Sequence, residues 1–299
     1  TTINNAGLIS TSLIGAGSVS DATTVVTYGG AAANVTNTGT IDGRVGLGAS
    51  GGNTFLNAGA VSGSVHLGDS TGGNTFTAVS GSSVVSGGGT ALAGVITGVT
   101  GVKVAAAGSV DAGTGSGAAN NTLVLQNVVS GPGSGTGGAV TTLGWNQYLN
   151  FQKLTVNSGT WNLQGAWAGA GTTTLNDGLV NFNNAGSFGT GLFTANGGAI
   201  ASSTAGLNLT NAFSLGGNLS LAGTNAFGLS GVLSGAGGLT VNNTGIVTLG
   251  GANLFSGGVN LNAGGLVLGN AGALGSGNLT VGGSASLDTT AGINLGNNL

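Results

Sequence analysis

NTGTIDGRVGLG, Asn37 to Gly48, is followed twenty residues later by NAGAVSGSVHLG, Asn57 to Gly68. Asn, Gly and a β-branched residue return in step. Ile41, Val45 and Leu47 in one copy answer to Val61, Val65 and Leu67 in the next. Apolar residues alternate with small polar ones inside each copy, and alternation at period two is the signature of a strand with one buried face. The intervening Gly and Asn supply bends and left-handed backbone. A looser relative, NAGLISTSLIGA, starts at Asn5, and GGNTF recurs at Gly51–Phe55 and Gly72–Phe76. Self-similarity near twenty residues is the mark of a solenoid.

Working outward, the rest of the chain carries the same idea. Short alternating runs such as GLTVNN, GIVTLGG, GGVNLNAG and GLVLGN follow one another from Leu175 to Leu299. Gly interrupts every window of helical length, so the pattern excludes amphipathic helices. The 299 residues hold 67 Gly, one Pro, no Cys and only nine formal charges, yet 40% are apolar. A disordered chain is poor in apolar residues, so this chain buries a core, a narrow one distributed along its length. The expected fold class is all-β: a parallel β-helix, a single elongated rod.

The organisation read from the sequence is a segment 1–130 with ~20-residue repeats, a Gly/Pro-rich loop or joint 131–143 around GPGSGTGG, and a segment 144–299 of further strand repeats. One rung cannot offset its own ordering cost. Its free N–H and C=O groups must pair with the rungs above and below, about 4.8 Å away. That geometry explains the scarcity of charge, since like charges at one position of successive rungs would repel at that distance. It also suits Asn at the corners, where stacked amides hydrogen-bond in a ladder. Asn5, Asn37 and Asn57 are the expected ladder. Arg44 and His66 stand where the two opening copies differ, and they are expected to face solvent.

The residues from Gly235 to Val281 resemble the autotransporter-associated β-strand repeat of bacterial type V secretion passengers. The likeness is carried by Gly238–Leu239–Thr240, Thr248–Leu249, Gly250, Asn253, Phe255, Gly257–Gly258, Asn262–Ala263–Gly264, Leu266 and Ala273–Leu274–Gly275–Ser276–Gly277. This covers about a sixth of the chain, with a looser likeness over most of the remainder. Leu254-Phe255-Ser256 departs from the pattern, which has an aromatic residue followed by Thr. The resemblance implies a right-handed parallel β-helix exported through an outer-membrane barrel and displayed at the cell surface. The chain opens without a secretory signal and reads as a mature fragment; no barrel pattern follows it, and Asn298-Leu299 shows no cap.

Other chemistries find little footing. A net charge of −3 with three scattered cations gives no footprint for nucleic acid. Ala91 to Gly108 is the most apolar stretch, but its four Gly and its Val95, Val102 and Val104 spacings favour buried strand over a membrane-spanning helix. VHLGDSTGG, Val65 to Gly73, offers His66, Asp69 and Ser70 in a GDS string. A serine triad must be assembled from separate parts of a fold, and the sister copy GLGASGGN lacks all three, so a surface corner is the expected reading. Asp42 and Asp69 are the nearest approach to paired carboxylates, and solvated corners are favoured for them also. GGNTF puts Thr54 and Thr75 where a calcium nonapeptide repeat needs Asp. One His and no Cys leave little for a transition metal, so neither metal nor cofactor is expected.

The aromatic cluster has two readings. Trp145, Tyr148, Phe151, Trp161 and Trp167 could form an exposed stripe that stacks on sugars, or a core layer where the coil widens; the core is favoured. The function expected from all this is non-enzymatic: a cell-surface passenger stalk acting as adhesin toward a host or cell-surface receptor, or as a self-association module. A fibre stacking end to end and a glycan-binding or enzymatic stalk are the rivals.

Overall fold

In a computed structural model, described for all residues except 12–20, 50–51, 98, 130–132, 134, 291 and 298–299, the chain is all-β, with parallel strands stacked as a β-solenoid of about 13 turns. Among the described residues the one helical element is a single 3-10 turn, Ala118–Asn120. No helix there is long and apolar enough to cross a membrane. Two compact units are present. One comprises Thr1–Gly131 with Gly144–Leu154, the other Pro132–Leu143 with Thr155–Leu299.

In the first unit the opening repeat is read out literally as register. Thr40–Ala49 lies parallel to Ala60–His66, with Ile41 beside Val61 and Val45 beside Val65. Asn34–Asn37 lies beside Thr54–Asn57, and that strand beside Thr75–Val79, so the two copies of GGNTF place Phe55 on Phe76. Their rings stack at 5.5 Å. Thr2–Asn5 and Thr122–Gln126 extend this first face on either side. The second face is built on Thr40–Ala49 and Ala60–His66, flanked by Leu8–Ser10, Thr23–Gly29, Ser83–Val85 and Val110–Asp111. The Gly of GR and GS in the repeat has a steric cause. Gly43 (φ +134°) pairs with Gly63, where a Cβ would stand 2.1 Å from the Gly43 carbonyl oxygen. Backbone so close admits no side chain.

The second unit has three faces. Thr160–Gln164, Leu179–Phe182, Ala199–Ser202, Leu219–Ala222, Leu239–Val241, Val259–Leu261 and Leu279–Val281 form one of them, each parallel to the next. Register puts Val180, Ile200, Leu221, Val241 and Leu261 in one inward column, all buried. Each such side chain contributes about 1.5–3 kcal/mol when fully buried. Stacking makes that narrow core continuous.

Two expectations about organisation meet a different structure. The division does not fall at one linker. Tyr148–Leu149 pairs with Val110–Asp111 at the edge of the second face, and residues 144–154 belong to the first unit. Pro132, expected in the joint, lies outside the described residues. Ala91 to Gly108, expected as buried strand, is instead an excursion across the outside of the second face. It carries a short antiparallel ladder, Gly94–Val95 on Lys103–Val104. Val102 and Val104 are buried, while Leu92 and Val95 are 82% and 66% exposed. The excursion lies close because Gly46 and Gly48 give it room. A Cβ on Gly48 would meet the Val102 side chain at 2.3 Å.

Candidate functional site

The excursion overturns the solvent-facing assignment of Arg44 and His66. Both side chains do point out of the solenoid, but the excursion covers them, leaving 6% and 3% of each residue exposed. The Arg44 guanidinium donates to the carbonyls of Leu92 (2.7 Å) and Ala105 (Nε, 3.1 Å), and the Ser64 hydroxyl donates to the same Ala105 oxygen at 2.9 Å. Asp21 holds the other root of the excursion, accepting the amides of Thr90 and Ala91 at 3.1 and 2.9 Å. Lys103 reaches Asp69 at 2.5 Å. A polar clamp thus ties down the excursion.

His66 sits beneath, beside Asp111 on the paired strand, with Nε2 3.9 Å from a carboxylate oxygen. Its Nδ1 accepts the Gly68 amide at 2.9 Å. Ser70, two per cent exposed, donates its hydroxyl to the Gly72 carbonyl and lies 3.0 Å from Asn74 Oδ1. A nucleophile and its base must share a hydrogen bond; these two groups are instead engaged with their own turns. The expected surface corner is corrected here, because His66 and Ser70 are both buried. Asp69 keeps its partners Lys103 and Thr114, and Asp42 accepts from the Ser10 hydroxyl at 3.2 Å. Among the described residues no group of three or more His, Cys, Asp or Glu could hold a metal ion.

Burial pushes the His66 imidazole below its ordinary value of 6.5; Asp111 and Asp69 pull it up, and Lys103 adds to the depression. The unfolded chain therefore takes up a proton first as pH falls below 6.5, and the first unit loses stability until the folded imidazole titrates in turn. A second loss starts below 3.8. Asp21 is held below that value by the amides of Ala91 and Thr90. For Asp69, burial raises the value, but the Lys103 and Thr114 hydrogen bonds outweigh it. Unfolding followed across pH is expected to show both limbs, and His66→Gln is expected to flatten the upper one and leave the lower. An upper limb that survives the substitution would remove His66 from the account.

The three asparagines of the opening repeat form a hydrogen-bonded series. Asn5 Nδ2 donates to Asn37 Oδ1 at 2.8 Å, and Asn37 Nδ2 to Asn57 Oδ1 at 2.9 Å. Asn5 and Asn37 also donate to the backbone carbonyls of Thr40 and Ala60, and Asn57 donates to that of Ser83. Sequence reasoning missed a second and more deeply buried series. The amides of Ala33, Asn53 and Asn74 donate to the side-chain oxygens of Asn53, Asn74 and Asn121, at 2.8, 2.7 and 2.9 Å. The Asn of GGNTF, repeated with its Phe, was the available signal.

The aromatic residues are placed as core. Trp145 (5% exposed), Trp161 (0%) and Trp167 (6%) are buried, as the favoured core reading expects, and the alternative of an exposed stripe falls away. The cause is packing. Trp161 fills an inward position and donates Nε1–H to the Ser158 carbonyl at 2.8 Å. Tyr148 is half-buried in the first unit, its ring 6.0 Å from Phe76 and 6.4 Å from Phe151.

Outward-facing amides are stacked in the second unit as well. Asn196 donates to Asn176 and Asn176 to Asn157, at 2.8 and 2.9 Å. Asn181 donates to Asn162 at 2.8 Å, and Asn262 to Asn242 at 2.9 Å. Each link uses one N–H and one oxygen lone pair, and Asn176, Asn196, Asn242 and Asn262 are exposed. Asp177 and Asp288 are the only charged side chains in this unit. The fold and this skin define a sparsely charged parallel β-solenoid. Comparison with family models, with curated proteins and with solved structures returned no match to this chain.

Proposed function

We propose that the chain is a cell-surface passenger segment that associates with a second copy of itself through its uncharged amide and hydroxyl skin. The observation that carries this reading is the stacking of exposed Asn196 on exposed Asn176, and of Asn176 on half-buried Asn157, in a unit with two charged residues. Such a surface forms many neutral hydrogen bonds, each worth about 1 kcal/mol, and has little charge for salt to screen. Export and surface display rest on the resemblance of Gly235–Val281 to passenger repeats.

Sedimentation of the purified chain over a range of concentrations tests the proposal. Self-association is expected, with a constant that hardly moves between low and high salt. Asn176→Lys with Asn196→Lys would set two positive charges on neighbouring rungs and is expected to abolish it. A chain that stays monomeric at every concentration would contradict the proposal.

A further inference from the structure

The second face of the first unit is incomplete at one place. Ala60–His66 is covered in its first half by Ser83–Val85 and in its second half by Val110–Asp111. At the next level Tyr148–Leu149 continues only over Val110–Asp111. Beside that step, where the excursion leaves and returns, lies a cavity of about 510 Å³ open to solvent. Its volume is in the range of pockets that enclose small ligands, about 300–1,000 Å³.

The lining has a definite chemistry. Val85, Leu149 and Ala107 supply apolar surface, and Val85 and Leu149 are 47% and 38% exposed. Asn146, Gln147 and Ser86 supply amide and hydroxyl groups. No charged side chain lines it. Gln147 is positioned by an Nε2–H bond to the Gly108 carbonyl at 3.3 Å, and its backbone carbonyl accepts the Val110 amide at 2.8 Å. An amide side chain donates and accepts at once, which matches the paired hydroxyls of a polyol better than it matches an ion. Apolar surface beside an amide rim is complementary to a sugar ring, with its C–H face and its hydroxyl edge.

We propose that this cavity binds one uncharged sugar residue of a glycan, with Leu149 and Val85 against the ring face and Asn146 and Gln147 on its hydroxyls. The open mouth lets the remainder of the glycan run into solvent. This site is separate from the self-association reading, whose residues lie in the second unit.

The test is binding of the whole chain to immobilised neutral, sialylated and sulfated oligosaccharides, repeated on two variants. Neutral glycans are expected to bind, equally at low and high salt. Leu149→Trp fills the cavity from an exposed position and is expected to abolish binding. Asn146→Ala, also at an exposed position, removes one hydrogen-bonding amide and is expected to weaken binding roughly tenfold. Both variants should keep the circular dichroism and self-association of the parent, so loss of sugar binding is distinguishable from failure of the association reading. Absence of any neutral glycan among the binders, preference for charged glycans alone, or unchanged binding by Leu149→Trp would each overturn the proposal.

Discussion

Asn74→Ala is expected to destabilise the first unit by about 3 kcal/mol or more, the cost of leaving several buried groups without partners at about 1–3 kcal/mol each. Asn74 is 1% exposed, and its side chain serves three separate backbones. Oδ1 accepts the Asn53 amide at 2.7 Å, while Nδ2 donates to the Gly68 and Ala112 carbonyls at 2.7 and 2.8 Å. An alanine satisfies none of them. Asn120→Ala is the control. That side chain is exposed and only accepts a hydrogen bond from Lys153, and a change of under about 1 kcal/mol is expected. Denaturant unfolding followed by Trp145 fluorescence reports on this unit.

Phe193→Ala is expected to cost the second unit about 3–5 kcal/mol, the usual penalty for emptying a buried aromatic site. Phe193 is fully buried, with its ring centroid 4.7 Å from Phe213 on the next rung and 4.9 Å from Phe188. Truncation removes the middle of a stack, so contacts to both neighbours are lost. Leu192→Ala, one residue earlier and 44% exposed, is expected to stay within about 0.5 kcal/mol of the parent. In a solenoid each rung contacts only its neighbours. Loss at Phe193 should therefore appear in Trp161 and Trp167 fluorescence, as those residues belong to the same unit.

Much of the architecture was legible because a stacked coil writes its register into its sequence. The twenty-residue return of Ile41 as Val61 is the pairing seen, and the two GGNTF copies stack Phe55 on Phe76. The series Asn5, Asn37 and Asn57 follows from the same period. What the repeat could not reveal were contacts made outside it. Arg44 and His66 occupy outward positions, as alternation predicts, and are buried by residues from an excursion with no period. Arg44 to Ala105 spans 61 residues. Residues 144–154 return to the first unit by pairing with a strand of two residues, too short to show as a pattern. The Trp residues were ambiguous for a simpler reason. Alternation tells which residues share a side, and the wide aromatic segment has too few alternating neighbours to say which side is inward. The proposed sugar site was invisible in sequence because it is a missing length of strand.

The central claim, successive parallel strands stacked in register, is open to one direct measurement. The chain has no Cys, so pairs of spin labels can be placed without background. Thr160, Leu179, Ala199, Ser220, Thr240, Asn260 and Thr280 form one column of the second unit. With one label at Thr160 and the other at Thr240, Asn260 or Thr280, pulsed electron spin resonance should give distances near ~19, ~24 and ~29 Å, rising by one rung of about 4.8 Å per step. Distances that do not climb by that step, or that fall as the second label moves along the chain, would contradict it.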